Sequence, residues 1–208
     1  MDEDYFLTPS RIISVTYIIV VVFWYLNWIQ VDSMFFSPYL IINESQYWRI
    51  WTSLLLIGEP SLEMWIYLIT FFLCLKLVND FYYSNNPGSF IYMYLFNCIG
   101  SIISGFIDPS PYLGIRIILF VFYYSCKLFS NADIIINTSF IPFRLSIIPI
   151  VQIVYYSFFG TGSSTFTFVF TFLWAHTYYF FHCIASSVTK KDIFEPPNWF
   201  ENMFAFLI

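Results

Sequence analysis

FFSPYLIINESQYWRIWTSLLLIG, residues Phe35 to Gly58, lies between two long apolar runs and is itself mostly apolar. Yet it carries Pro38, Glu44 and an Arg49 set beside Trp48 and close to Trp51. The stretch is too broken for one membrane span and too apolar for an ordinary water-exposed loop. Amphipathic rings are favoured at headgroup depth, so it reads as a segment lying in a membrane interface, with Trp48 and Trp51 as its anchors. Leu55, seven residues past Trp48, is expected on the same helical face. Arg49 is expected to hold the segment by bonding carbonyls or headgroups, a structural role and not a catalytic one.

The rest of the chain decides what that interface belongs to. Of 208 residues, 59% are hydrophobic, 25% aromatic and only 10% charged. A soluble domain carries about 25% charged residues, so here most of the surface must face lipid. The net charge of −5 gives no basic footprint for nucleic acid. The acidic start MDEDYFLTPSR is unlike the basic n-region of a cleaved signal peptide, so the first apolar run is expected to be retained. Cys74, Cys98, Cys126 and Cys183 lie in apolar runs without a Cys-x-x-Cys pair and are expected as packing thiols. No cofactor or metal is expected.

Six spans are predicted: Ile12 to Val31, Leu62 to Asn79, Ser89 to Ile107, Tyr112 to Ser130, Phe143 to Phe159 and Thr165 to Ser187. Glu63 and Lys76 near the ends of the second can snorkel. Ser84-Asn85-Asn86-Pro87-Gly88 is a turn signal, Asp108-Pro109-Ser110-Pro111 a breaker, and Gly160-Thr161-Gly162-Ser163-Ser164 divides the last apolar run. Gly100, Ser101, Ser104 and Gly105 allow close helix approach. Asn131 to Ile141 reads as a loop, and the chain from Lys190 onward as an amphipathic tail. The fold class is therefore an all-α membrane protein, one domain over residues 1–208, with a short cytosolic N-terminus (1–11) and a cytosolic tail (189–208).

With six spans, Arg11, Lys76, Lys127, Arg144, Lys190 and Lys191 share one side and only Arg49 and Arg116 the other. The positive-inside rule then places both termini in the cytosol and the interfacial stretch on the luminal side. Asn43-Glu44-Ser45 and Asn137-Thr138-Ser139 match the glycosylation acceptor pattern. Asn43 lies too close to the bilayer and Asn137 on the cytosolic side, so no glycan is expected at either.

Particular residues resemble those of the derlin family. The resemblance runs through Thr8-Pro9-Ser10-Arg11, Phe36-Ser37-Pro38-Tyr39-Leu40-Ile41, Gln46-Tyr47-Trp48-Arg49-Ile50-Trp51-Thr52-Ser53-Leu54-Leu55 and Gly58. It continues through Phe90-Ile91-Tyr92-Met93-Tyr94-Leu95-Phe96 and Tyr112-Leu113-Gly114, and ends at His176-Thr177-Tyr178-Tyr179-Phe180-Phe181. It thus covers about residues 8 to 188, with Pro38, Trp48, Arg49, Gly58, Gly114 and His176 as its motif residues. The resemblance implies a six-helix, rhomboid-like bundle in the endoplasmic reticulum membrane, catalytically inactive, that helps misfolded proteins return to the cytosol. It also implies misfolded clients and a ubiquitin-ligase complex as partners, within a homo- or hetero-oligomer or alone. Family tails often carry a Gly- and Arg-containing motif that recruits an AAA ATPase. Glu195-Pro196-Pro197-Asn198-Trp199-Phe200 lacks it, so recruitment is expected to be indirect.

An active rhomboid protease needs a serine in a Gly-x-Ser-Gly setting on the fourth helix and a histidine on the sixth. At the matching place stands Leu113-Gly114-Ile115-Arg116-Ile117, with no serine between Pro111 and Tyr124. Ser125 lies further along, and Ser163 and Ser164 are expected in the turn before the sixth helix. His176 is read as a packing histidine bonding between helices, with a remnant base as the alternative. His182 sits about 240° around the same helix, which excludes a two-histidine metal pair. No proteolysis is expected. Arg116 is expected to snorkel to the luminal headgroups, the alternative being an inward guanidinium paired with Asp108.

Short uncharged stretches in the second and fourth spans are consistent with a bilayer thinned around the bundle, which eases passage of a polar chain. Two other classes compete: a transporter or lipid-handling protein, and an active rhomboid-type intramembrane protease. A transporter would carry acids at mid-membrane; here the acids cluster at the ends of spans.

Overall fold

The computed structural model describes residues 8–84, 86–130, 133–134, 143–159, 162–190 and 192–204. Expectations for residues 1–7, for Asn137, for most of the 131–141 loop and for the last four residues lie outside this set.

Helix α1 (Pro9–Tyr25) starts with proline in its first turn, where the missing N–H costs nothing. It ends at Leu26, and Asn27 takes a left-handed conformation (φ 56°), a conformation asparagine tolerates at the close of a helix. The span predicted to Val31 therefore stops one and a half turns early. A 3₁₀ turn (Val31–Ser33), helix α2 (Pro38–Asn43), helix α3 (Trp48–Thr52) and a second 3₁₀ turn (Ser53–Leu55) make up the first connection. The Ser37 hydroxyl caps α2 and Pro38 fills its first turn.

Helix α4 (Leu62–Tyr82) is capped by Ser61 Oγ, which accepts from Met64 N at 3.2 Å. Glu63 in its first turn faces the positive end of the helix dipole. Helix α5 (Pro87–Ile107) again opens on proline. Helix α6 (Gly114–Leu128) is buried nearly all round: Arg116, Ile117, Ile118, Leu119, Phe120, Val121 and Tyr124 have almost no exposure. A helix apolar on every face belongs at the centre, and α6 packs against α4, α5 and α8.

Asp133–Ile134 (β1) and Phe143–Arg144 (β2) form a two-residue antiparallel ladder. Helix α7 (Ile148–Phe159) begins only after it, five residues later than predicted. Pro149 is the reason: a proline is accommodated in a helix's first turn, and further in its ring collides with the carbonyl four residues back. Helix α8 (Gly162–Tyr179) starts two residues before Ser164, so Ser163 and Ser164 lie in its first turn and not before it. It runs on through a π turn (Phe180–Ala185) into α9 (Ser186–Thr189). The tail, read as an amphipathic segment, packs back on the bundle and forms α10 (Asn198–Phe204).

The core runs from Tyr17 on α1 through Phe71 and Leu75 on α4 to Phe120 on α6 and Tyr178 on α8. At Gly100 the backbone of α5 meets α8: a Cβ there would lie 2.1 Å from Trp174 Nε1, which donates to the Phe96 carbonyl at 3.1 Å. By length and composition α4 and α5, 21 residues each, can cross a membrane, while α1 and α7 are apolar but shorter. Less than half of each crossing stretch is buried, 39% and 44%. Ile66, Ile69 and Leu73 on α4 and Ile99, Ile103 and Phe106 on α5 face outward. A soluble core helix would bury that surface; here it points to an apolar surrounding.

Candidate functional site

The first connection folds over the start of α6. Arg49, 7% exposed, is the fastener. Its Nη1 donates to the carbonyls of Asp32 (2.7 Å) and Phe35 (3.0 Å), and its Nε to Gln46 Oε1 (2.6 Å). Trp48 Nε1 donates to the Ser33 carbonyl and Thr52 Oγ1 to that of Met34. The two tryptophan rings stay outward, with Tyr39, Ile42 and Tyr47 beside them, the surface an interfacial anchor presents. Leu55 does not share their face. Helix α3 gives way at Ser53 to a tighter turn, which rotates Leu55 inward against the core.

Arg49→Ala is expected to lower stability by about 2 kcal/mol, since hydrogen bonds to a charged group contribute about 1.5–3 kcal/mol. The check is the apparent melting temperature of the purified chain in lipid nanodiscs. Wild-type melting of Arg49→Ala would contradict the fastening role.

Below the fastener the backbones interlock. Leu113 N donates to the Ser53 carbonyl (3.1 Å), Gly114 N to that of Leu56 (2.8 Å), and Phe36 N to that of Pro111 (3.2 Å). Tyr17 on α1 donates its hydroxyl to the Leu54 carbonyl at 2.8 Å. A Cβ at Gly114 would sit 2.6 Å from Leu56 O and 2.8 Å from Leu54 O, so only glycine permits this approach. Gly58 differs, for a Cβ there meets nothing within 4 Å. Tyr112 lies between the Trp24 and Phe35 rings.

Arg116 corrects the expectation of snorkelling. Its side chain has no exposure. Nη1 donates to Ser104 Oγ (2.5 Å) and Nη2 to the Asp108 carbonyl (2.7 Å), with Asp108 Oδ2 3.8 Å away. The cause lies on α5. Asn97, Ser101, Ser104 and Asp108 recur every three or four residues and form a polar stripe facing α6; Asn97 Nδ2 donates to the Ile117 carbonyl at 3.0 Å. A guanidinium one turn into α6 finds acceptors there, which makes burial tolerable.

The histidines have other partners than serine. His176 Nδ1 is 2.9 Å from the Tyr123 hydroxyl on α6, the interhelical hydrogen bond read from the sequence, made by an exposed side chain and not in a packed interior. Tyr123 lies seven residues beyond Arg116, roughly 10 Å along the helix, so His176 is out of reach of a side chain at position 116. Ser125 Oγ donates to the Phe122 carbonyl of its own helix. Ser163 and Ser164 are 13 and 12 residues before His176 on one helix, roughly 18 Å or more away. His182 Nε2 is 3.3 Å from the Tyr83 hydroxyl, and Tyr83 also reaches Tyr124 (3.0 Å) and Tyr178 (3.5 Å). Among the described residues, no serine hydroxyl is placed to be activated by a histidine, and no group of three metal-ligating side chains occurs. All four cysteines are free, three of them buried and Cys183 partly so.

Two polar clusters went unread in the sequence: the Tyr83–Tyr124–Tyr178–His182 group, and a Tyr67–Tyr156–Glu63 bridge between α4 and α7 (2.7 and 3.1 Å). The available signal was tyrosine inside apolar runs, since a buried phenol needs a partner.

A helical bundle with two long apolar helices, whose histidines bond to tyrosines and not to serines among the described residues, is what the fold and site define. The match to known families agrees: the family model described as the Der1-like family covers residues 8–198, and the chain belongs to that family. Comparison with curated proteins returns no significant match.

Proposed function

We propose that this chain is a non-catalytic, derlin-type component of endoplasmic-reticulum-associated degradation that assists the return of misfolded proteins to the cytosol. The observation that carries the reading is the family match over residues 8–198 combined with histidines that bond to tyrosines and not to serines. The proposed topology uses α1, α4, α5, α6, α7 and α8 as six spans in the endoplasmic reticulum membrane, with both termini cytosolic. Misfolded luminal or membrane proteins are the clients, a ubiquitin-ligase complex the partner, and an AAA ATPase acts through that partner.

The physical means is a locally thinned bilayer. The uncharged stretches of the second and fourth spans are short by sequence; as helices, α4 runs 21 residues and α6 15. Shorter still is α7, with 12 residues, roughly 18 Å of helix against a hydrocarbon core of about 30 Å. The stripe from Asn97 to Asp108 adds buried polar groups near the luminal end. A short helix beside polar groups reduces the apolar distance a polar chain must cross.

The test is pulse–chase turnover of a misfolded luminal reporter in cells lacking the chain. Restored turnover by wild type, and by a Ser125→Ala variant equally well, supports the proposal; no effect of the chain on turnover overturns it. A serine-directed fluorophosphonate is expected to leave the purified protein unlabelled. Labelling lost in Ser125→Ala, Ser163→Ala or Ser164→Ala would establish an active protease instead.

A further inference from the structure

The last described residues turn back onto the bundle. Lys190 ends α9 in a left-handed conformation (φ 55°), which reverses the chain. Asp192 Oδ2 then lies 2.5 Å from His182 Nδ1, outside aligned hydrogen-bond geometry, while Asp192 Oδ1 accepts from Phe194 N at 2.9 Å. The Phe194 ring seats among Phe96 on α5 (4.9 Å), Tyr178 on α8 (5.0 Å) and Phe181 in the π turn (5.9 Å). After Pro196 and Pro197, α10 lies across the start of α5. Phe200 packs on Tyr92 at 5.8 Å, and Ser89 Oγ donates to Glu201 Oε1 at 2.9 Å. The backbones nearly touch, since a Cβ on Gly88 would be 2.8 Å from Glu201 Cα.

The π turn aims His182 at this strap. One ring nitrogen faces Asp192 and the other the Tyr83 hydroxyl, which reaches Tyr124 and Tyr178. Insertions of this kind recur at functional positions in helices. The seat therefore touches the end of α4, the start of α5, the later half of α6 and the end of α8. Among the described residues it is held by the Asp192–His182 contact, one side-chain hydrogen bond, the Phe194 and Phe200 rings and the close approach of Glu201 to Gly88. All of these join the segment to the bundle and not the core helices to one another, so the segment can lift while the bundle stays folded.

We propose that residues 192–204 are a releasable strap that holds this end of the bundle closed, and that unseating it opens the end to a passing polypeptide. The opening role rests on the derlin-type function proposed above; the seat itself does not. The strap occupies the aromatic seam between α5 and α8, and its departure uncovers Phe96, Tyr178 and Tyr92 together. Helix α10 keeps Trp199 and Met203 outward, so an apolar face remains to hold the lifted strap at the membrane surface.

The test uses the full chain in microsomes, in a Cys183→Ala background that removes the partly exposed thiol. Ser89→Cys and Glu201→Cys are joined by a short bismaleimide. The crosslink is expected to form in high yield and to fall roughly tenfold when Asp192→Ala and Phe194→Ala are added, as loss of about 1.4 kcal/mol of seating implies. Photo-capture of a misfolded luminal reporter is expected to drop severalfold with the strap fastened and to exceed wild type with it loosened. Poor crosslinking of the intact strap, or equal capture fastened and unfastened, overturns the inference. Absence of capture in every state, with the crosslink forming, fails the proposed function while leaving the seat established.

Discussion

Arg116→Ala is expected to lower the apparent melting temperature of the chain in nanodiscs by roughly 10 °C, equivalent to about 3 kcal/mol for a chain of this length. The guanidinium is fully buried and makes two hydrogen bonds across the α5–α6 junction. Its removal leaves Ser104 Oγ and the Asp108 carbonyl without that donor, and a void where a large side chain stood. Breaking a buried charge network by removing one partner costs about 3–5 kcal/mol. The lower end applies because the Asp108 side chain is 24% exposed and water can reach it. Arg116→Lys is expected to recover part of the loss, because an ammonium carries the charge but not the planar fork. An Arg116→Ala protein that melts like wild type would return the residue to the headgroup region.

Gly114→Val is expected to destabilise by about 3 kcal/mol, with a red shift of tryptophan emission as the first connection lifts. Overpacking a tight core costs about 1–3 kcal/mol, and a lost backbone hydrogen bond adds about 1 kcal/mol. Here the obstacles are the Leu54 and Leu56 carbonyls, held by their own bonds to Tyr17 and Gly114, so relief through a side-chain rotation is closed. Gly58→Ala is the matched control. Nothing stands within 4 Å of its Cβ, and the change should stay within about 0.5 kcal/mol. Equal effects at the two glycines would contradict the interlocked geometry.

These two positions also mark where sequence reading succeeds and stops. Positions of the helices follow from apolar runs and their punctuation, as at Leu62 starting α4 and at the Asp108–Pro111 break between α5 and α6, while Pro87 and Gly88, read as part of a turn, open α5 instead. Ends were misjudged where a single residue overrides hydropathy: Asn27 turning left-handed after α1, and Pro149 fixing the start of α7. Arg49 was legible because a lone arginine between tryptophans in an interfacial segment has few partners other than carbonyls. Arg116 was not, because its acceptors lie on another helix, and the stripe Asn97, Ser101, Ser104 and Asp108 looks from sequence like small-residue packing. His176 was read correctly as an interhelical bond. The role of His182 depended on a π turn and a returning tail, neither of which leaves a periodic trace. Gly114 and Gly58 looked alike as motif glycines, yet a close backbone approach requires only the first.

The central claim is that this bundle handles polypeptides without cutting them. Its most direct test places a photo-crosslinking amino acid at the outward positions Tyr39 in the first connection and Leu173 on α8, in the full chain in endoplasmic reticulum membranes, during degradation of a misfolded luminal protein. The account predicts covalent capture of that protein, intact, from both positions. Capture of lipids or small solutes alone, or of a client cleaved in dependence on a serine of this chain, would contradict it.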